Sequence, residues 1–218
     1  MALGFSVSSG SDYQLICKFD SRAGRMYKRD RDAGTGEWVQ TDITKNFRAV
    51  FDFASANFEI GWMNFNTNAA PDFVMVPHGE PMPPQPSPNH KQGARILIQL
   101  SADLDGSVRE IASNAKAFLR GISDLHDAYL AQVVGNEGKL PIVVLEDTVA
   151  TQSGSGATKT TNYSPVFRID KFVDRPAKLV AKAKPKVTAP IQSTPAPVTG
   201  STRVSAPAAS SDDGFGFG

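Results

Sequence analysis

The chain has 218 residues, 40% of them hydrophobic, with 23 Lys or Arg against 22 Asp or Glu. This near-neutrality excludes a uniformly basic surface. Residues 175–218 hold six basic and two acidic side chains, which leaves 17 basic against 20 acidic, or −3, in residues 1–174, so any polyanion site there must be a local patch.

Cys17 is the single cysteine, so no intramolecular disulfide is possible and a reducing compartment is expected. The start Met1-Ala2-Leu3-Gly4-Phe5-Ser6 lacks the basic residues and apolar stretch of a secretory signal. No run approaches the ~18 apolar residues of a membrane span. A cytoplasmic protein without membrane contact is the expectation.

The first clear strand is Tyr13–Phe19, where bulky β-favouring residues alternate, and a basic hairpin follows around residues 22–31. Phe47–Phe53 places Phe47, Ala49, Phe51 and Phe53 on one face. Phe58–Phe65 repeats the pattern, and Asp72–Val76 is a short apolar run closed by Pro77. Prolines at 77, 81, 83, 84, 86 and 88 then predict an extended, exposed excursion to Gln92, because proline cannot donate a ladder hydrogen bond. Ile96–Leu100 resumes as a strand.

From Ser107 the period changes. Val108, Ile111, Ala115, Phe118, Ile122, Leu125, Tyr129 and Val133 recur at three- and four-residue steps and predict one long helix, with Ser107 and Glu110 as a capping box and Gly135-Asn136 as its stop. Two further strands, Leu140–Leu145 and Phe167–Val173, flank a small, polar, flexible separator at 151–162. Strands, one helix and a final hairpin with a long loop match the oligonucleotide-binding (OB) barrel, with more strands before the helix than that barrel needs. The expected fold is therefore mainly β, an elaborated OB-like barrel over residues 1–174. A disordered Pro/Ala/Ser/Lys-rich linker over 175–210 and a tip at 211–218 complete the chain.

Catalytic signatures are missing from the sequence. His78, His90 and His126 lack metal-ligand spacing and are expected to be solvent-exposed, and no phosphate-binding loop or nucleophile elbow occurs. Asp103 with Asp105 reads as helix-entry capping, and with Glu146 and Asp147 falls short of the converging acids of a two-metal nuclease. No enzymatic activity, metal or cofactor is expected.

A better populated pattern is Arg22, Arg25, Lys28, Arg29 and Arg31, flanked by Phe19, Tyr27 and Trp38. Cations that track phosphates beside aromatic faces that stack bases are how single-stranded nucleic acid is held. The same segment also reads as a solvated hairpin paired to Asp20, Asp30 and Asp32. Trp62 and Phe65, with Asn64, Asn66 and Asn68, offer either a second stacking surface or core packing. In the 151–162 loop, polar donors and Lys159 suit phosphate contacts, and the loop between the last two strands of an OB barrel is one of its ligand loops.

The chain ends Ser211-Asp-Asp-Gly-Phe-Gly-Phe-Gly218. Two acids followed by phenylalanines at the tip of a long linker resemble the C-terminal peptide of bacterial and phage single-stranded DNA-binding proteins. The plan of a β domain, no catalytic motif and a Pro/Ala/Ser linker resembles that family too. The resemblance implies single-stranded DNA as ligand, host cytoplasm if the chain is phage-encoded, and a tail in which Asp212, Asp213, Phe215 and Phe217 recruit replication or recombination enzymes. Homo-oligomerisation is compatible with this plan. Here Gly218 follows Phe217, so the terminal carboxylate lies one residue beyond the ring and Phe215 or Phe217 is the expected anchor. The alternative is a structural or virion protein whose β domain assembles without nucleic acid.

Overall fold

In the computed structural model, which describes residues 14–65, 70–153, 155–156 and 159–183, the alternating segments form ten strands. They are β1 (Ile16–Asp20), β2 (Arg25–Arg31), β3 (Trp38–Asp42), β4 (Arg48–Phe51), β5 (Phe58–Asn64), β6 (Asp72–Pro77), β7 (Lys91–Leu100), β8 (Val108–Ser113), β9 (Leu140–Ser153) and β10 (Thr160–Val173). One helix, α1 (Lys116–Val133), lies between β8 and β9. The chain divides into 1–184 and 185–218, and the second unit, with Asp212, Asp213, Phe215 and Phe217, lies outside the described residues.

The fold is mainly β, with one helix, and is consistent with an elaborated β-barrel. The strands run in the order β10-β9-β4-β7-β8-β1-β2-β3, with the β5–β6 hairpin branching from β7. All pairings are antiparallel except β1 with β8. The sheet curls on itself, because Tyr163 N on β10 donates to Ser21 O in the β1–β2 turn at 2.6 Å. There the Tyr163 ring covers Gly24, whose φ of 64° and lack of a side chain permit the approach.

Inside the curl a chain of ring contacts joins Phe19 to Phe118, Phe118 to Phe167 and Phe167 to Phe51, with centroids 6.0–6.4 Å apart. Helix α1 lies on β10, and the contact requires Gly121: a Cβ there would stand 2.4 Å from the Pro165 carbonyl oxygen. Cys17 is buried in this core, and burial pushes its thiol up to about 12.

Two sequence expectations are corrected. Residues 108–113 form a strand, not the first turns of the helix, and α1 begins at Lys116 without a side-chain cap. Val108, Ile111 and Ala112 fit a helical period, but Arg109 and Ile111 alternate inward, with β7 on one edge and β1 on the other. Ser107 accepts from Arg109 Nε at 2.8 Å instead of capping a helix, and Asp103 and Asp105 lie in the turn before β8. Half of the separator expected at 151–162 is paired: the β9–β10 ladder continues to Ser153 opposite Thr160, leaving residues 154–159 as its connection.

Packing also continues past the expected boundary at residue 174. Arg175 forms a bidentate ion pair with the fully buried Asp52, whose carboxylate further accepts from Ser55 Oγ at 2.6 Å and Asn57 Nδ2 at 2.7 Å. Asn57 Nδ2 also donates to Val180 O, Ala56 N donates to Lys182 O, and Leu179 is buried against Leu97 and Leu140. Composition hid this strap because one Leu and one Arg anchor a polar segment.

Two stability predictions follow from these contacts. Arg175→Ala strands a buried carboxylate and lowers unfolding free energy by about 3–5 kcal/mol in urea titration. Burial raises the Asp52 pKa, but the bonds from Arg175, Ser55 and Asn57 outweigh it and hold the carboxyl below its ordinary value. The stabilisation is thus present above the ordinary aspartate range and is lost as pH falls through the folded value, and R175A removes that acid sensitivity. Gly121→Val forces α1 off Pro165 and costs roughly 1–3 kcal/mol in the same assay.

Candidate functional site

The β10–β9 hairpin, the β1–β2 turn, the start of β7 and the start of α1 enclose an open groove of about 1170 Å3. That exceeds the roughly 300–1,000 Å3 of small-molecule sites and suits an extended polymer. Four cations line it: Arg22 from the β1–β2 turn, Lys91 at the first position of β7, and Lys116 and Arg120 one turn apart on α1. No Asp or Glu lines the groove, and among the described residues none of the four cations forms an ion pair. All four are exposed.

Neutral polar groups complete the wall. Thr151, Gln152 and Asn162 come from the hairpin, Asn114 from the loop before α1 and Gln92 from β7. The buried Oγ atoms of Ser21 and Ser164, also at the groove, have no hydrogen-bond partner in the structure. The α1 N-terminus opens here at Ala115 without a side-chain cap, and its first amides carry the positive end of the helix dipole. Each feature favours an anion.

The sequence-predicted basic cluster is dispersed. Arg22 reaches the groove, but on β2 the pleat sends Arg25, Tyr27, Arg29 and Arg31 to one face and Lys28 to the other. Arg25 pairs with Asp42 at 2.7 Å, and Arg31 Nε donates to Gly36 O at 2.9 Å. The Arg29 guanidinium lies 5.2 Å from the Trp38 ring centre, with Trp38 itself 47% exposed. Lys28 bonds Asp105 at 2.9 Å, and this bond holds its ammonium above the usual lysine range. Buried Arg109 bridges Asp30 and Asp105 at 2.6 and 2.8 Å beside it. Since β2 extends roughly 20 Å from Arg25 to Arg31, the Trp38 end is remote from the groove.

Trp62 is half-buried on β5 and its Nε1 donates to Pro83 O at 2.7 Å. It stands opposite Gln92 in the ladder, on the same side of the sheet, but does not itself line the groove. Phe65 is exposed and meets Phe73 edge-on at 5.1 Å, while Asn66 and Asn68 lie outside the described residues. Lys159 is exposed in the hairpin connection, which contributes Thr151, Gln152 and Asn162 to the groove from its paired flanks. Two of the four carboxylates weighed for nuclease chemistry are engaged in ion pairs away from the groove: Asp105 with Lys28 and Arg109, and Glu146 with Arg168 at 2.9 Å.

Lys91, Lys116 and Arg120 escaped the sequence reading. The four-residue step from Lys116 to Arg120 was a visible sign of one cationic helix face, but nothing in the sequence ties Lys91 to it.

Next to the groove a smaller cavity of about 280 Å3 shares Gln92 and Leu119 with it. The histidines expected to be exposed converge instead. His78 stacks on Phe58 at 4.7 Å and 21°, and His126 meets His78 edge-on at 4.5 Å. His90 is buried beside Ser87 and Asp72. Among the described residues no group of three or more His, Cys, Asp or Glu is placed to hold a metal ion, and no helix is long and apolar enough to cross a membrane.

Comparison with family models, curated proteins and solved structures finds no match.

Burial holds the His126 imidazole below its ordinary value of 6.5, and His78 adds to the effect against Asp127. The unfolded chain then binds this proton more readily, so the His126 contribution is complete above about pH 6.5 and declines as pH falls toward the folded value. An NMR titration is expected to place the His126 midpoint below that of a free imidazole, and His126→Phe to reduce the loss of stability on acidification through this range.

Proposed function

We propose that the chain binds single-stranded DNA in the groove between the β9–β10 hairpin and the start of α1. The carrying observation is charge placement: a near-neutral domain leaves Arg22, Lys91, Lys116 and Arg120 without ion pairs along one groove free of acids. Phosphates have favourable partners there, in the cations and the uncapped helix amides.

On this reading the acidic-aromatic end, Asp212, Asp213, Phe215 and Phe217, docks replication or recombination enzymes, and the linker lets each bound copy present it. A second reading, assembly without nucleic acid, draws on edge strand β3. All five of its residues are exposed, Trp38 and Val39 each at 47%, and such an edge is a template for pairing.

Fluorescence anisotropy of labelled oligo-dT with duplex competitor at two salt concentrations tests the proposal. The expected result is binding that prefers the single strand and weakens with salt. Lys116→Glu combined with Arg120→Glu should weaken it more than tenfold at low salt and flatten the log K against log salt slope by about 1.4, from ~0.7 per lost phosphate contact. Absence of binding at low salt, with large particles in light scattering, would establish the assembly reading instead.

A further inference from the structure

The 280 Å3 cavity beside the groove has a composition opposite to the groove's. It is lined by no Lys, Arg, Asp or Glu, whereas four cations line the groove it adjoins. Its walls are Phe58, Ile60, Met82 and Ile122, together with the imidazoles of His78 and His126. The stacked Phe58–His78 pair and the edge-on His126 present planar π surfaces. Gln92 at the shared boundary and Ser123 on α1 make no side-chain hydrogen bond with described residues, so an amide and a hydroxyl are available.

A charged phosphate gains nothing in such a space, but a planar heterocycle with a polar edge gains stacking, desolvation and hydrogen bonds. The volume matches the small end of ligand cavities, near ~300 Å3, and admits one ring system rather than a strand.

We propose that this cavity receives one nucleobase of the strand lying in the groove, with Gln92 and Ser123 meeting the base edge and the Phe58–His78 pair and Ile122 enclosing its faces. The inference rests on the groove being a single-strand site and adds to it a division of labour: phosphate in the cationic groove, one base turned into the neutral cavity. Gln92 and Leu119 belong to both spaces, which keeps a base and its own phosphate within one nucleotide's reach. Burial and the His78 contact favour the neutral His126 imidazole, which leaves one of its ring nitrogens able to accept a hydrogen bond.

The full chain is titrated with oligo-dT and with an abasic oligomer of equal length. Wild type should bind oligo-dT at least roughly tenfold more tightly than the base-free strand, within the range of a stacked base. Ser123→Phe, at an exposed helix position, fills the cavity. It should abolish that difference while leaving abasic affinity unchanged. In wild type, a photoactivated 4-thiothymidine oligomer should crosslink to Met82, His78 or His126, a result independent of whether the variant folds. The inference is overturned, with the groove intact, if wild type binds both strands equally, if S123F retains the full preference, or if crosslinks avoid all three residues. Failure of wild type to bind either strand overturns the groove reading itself.

Discussion

Strand β7 must satisfy the backbone groups of both its edges, and the rest of the molecule is arranged around how it does so. One edge pairs with β8 over Ala94–Gln99; the other pairs first with β5 over Lys91–Ile96 and then with β4 over Ile98–Leu100. Serving two strands on one edge makes the sheet branch, and the β5–β6 hairpin leaves the main path there. The later half of β7, with Ile96, Ile98 and Leu100 buried, fixes the core. Its first residues, Lys91 and Gln92, are exposed and supply the floor where groove and cavity meet.

Closure of the sheet supplies the walls. The Tyr163–Ser21 hydrogen bond ties the β9–β10 hairpin to the β1–β2 turn and brings Arg22 opposite the start of α1. Helix α1 can lie close enough only because Gly121 clears Pro165. The groove is thus a by-product of how the curled sheet is held shut, with its four cations contributed by three separate elements.

Electrostatic sorting explains how a near-neutral domain carries such a groove. Six acids are committed to named partners: Asp42 to Arg25, Asp30 and Asp105 to Lys28 and Arg109, Asp170 to Arg48, Glu59 to Arg95, Asp52 to Arg175. Two of these pairs neutralise Arg25 and Lys28 in the segment that looks most basic in the sequence. The cations without partners are separated by long stretches of chain and become a patch only after folding.

The sequence by itself determined the β-rich class, most of the strands and the later two-thirds of the helix, because alternation and 3.6-residue periodicity are local consequences of backbone geometry. It also marked Arg22 and the 151–162 region as parts of a site, through charge and hairpin position. It misread Val108–Ser113 as helix, since three apolar residues fit either period and only the partners on β7 and β1 decide between them. Tertiary structure alone decided which cations stay unpaired, that His78 meets His126, and that Arg175 and Leu179 extend the domain. Each of these depends on a contact between residues dozens of positions apart, set by strand register and sheet closure, which no local pattern encodes.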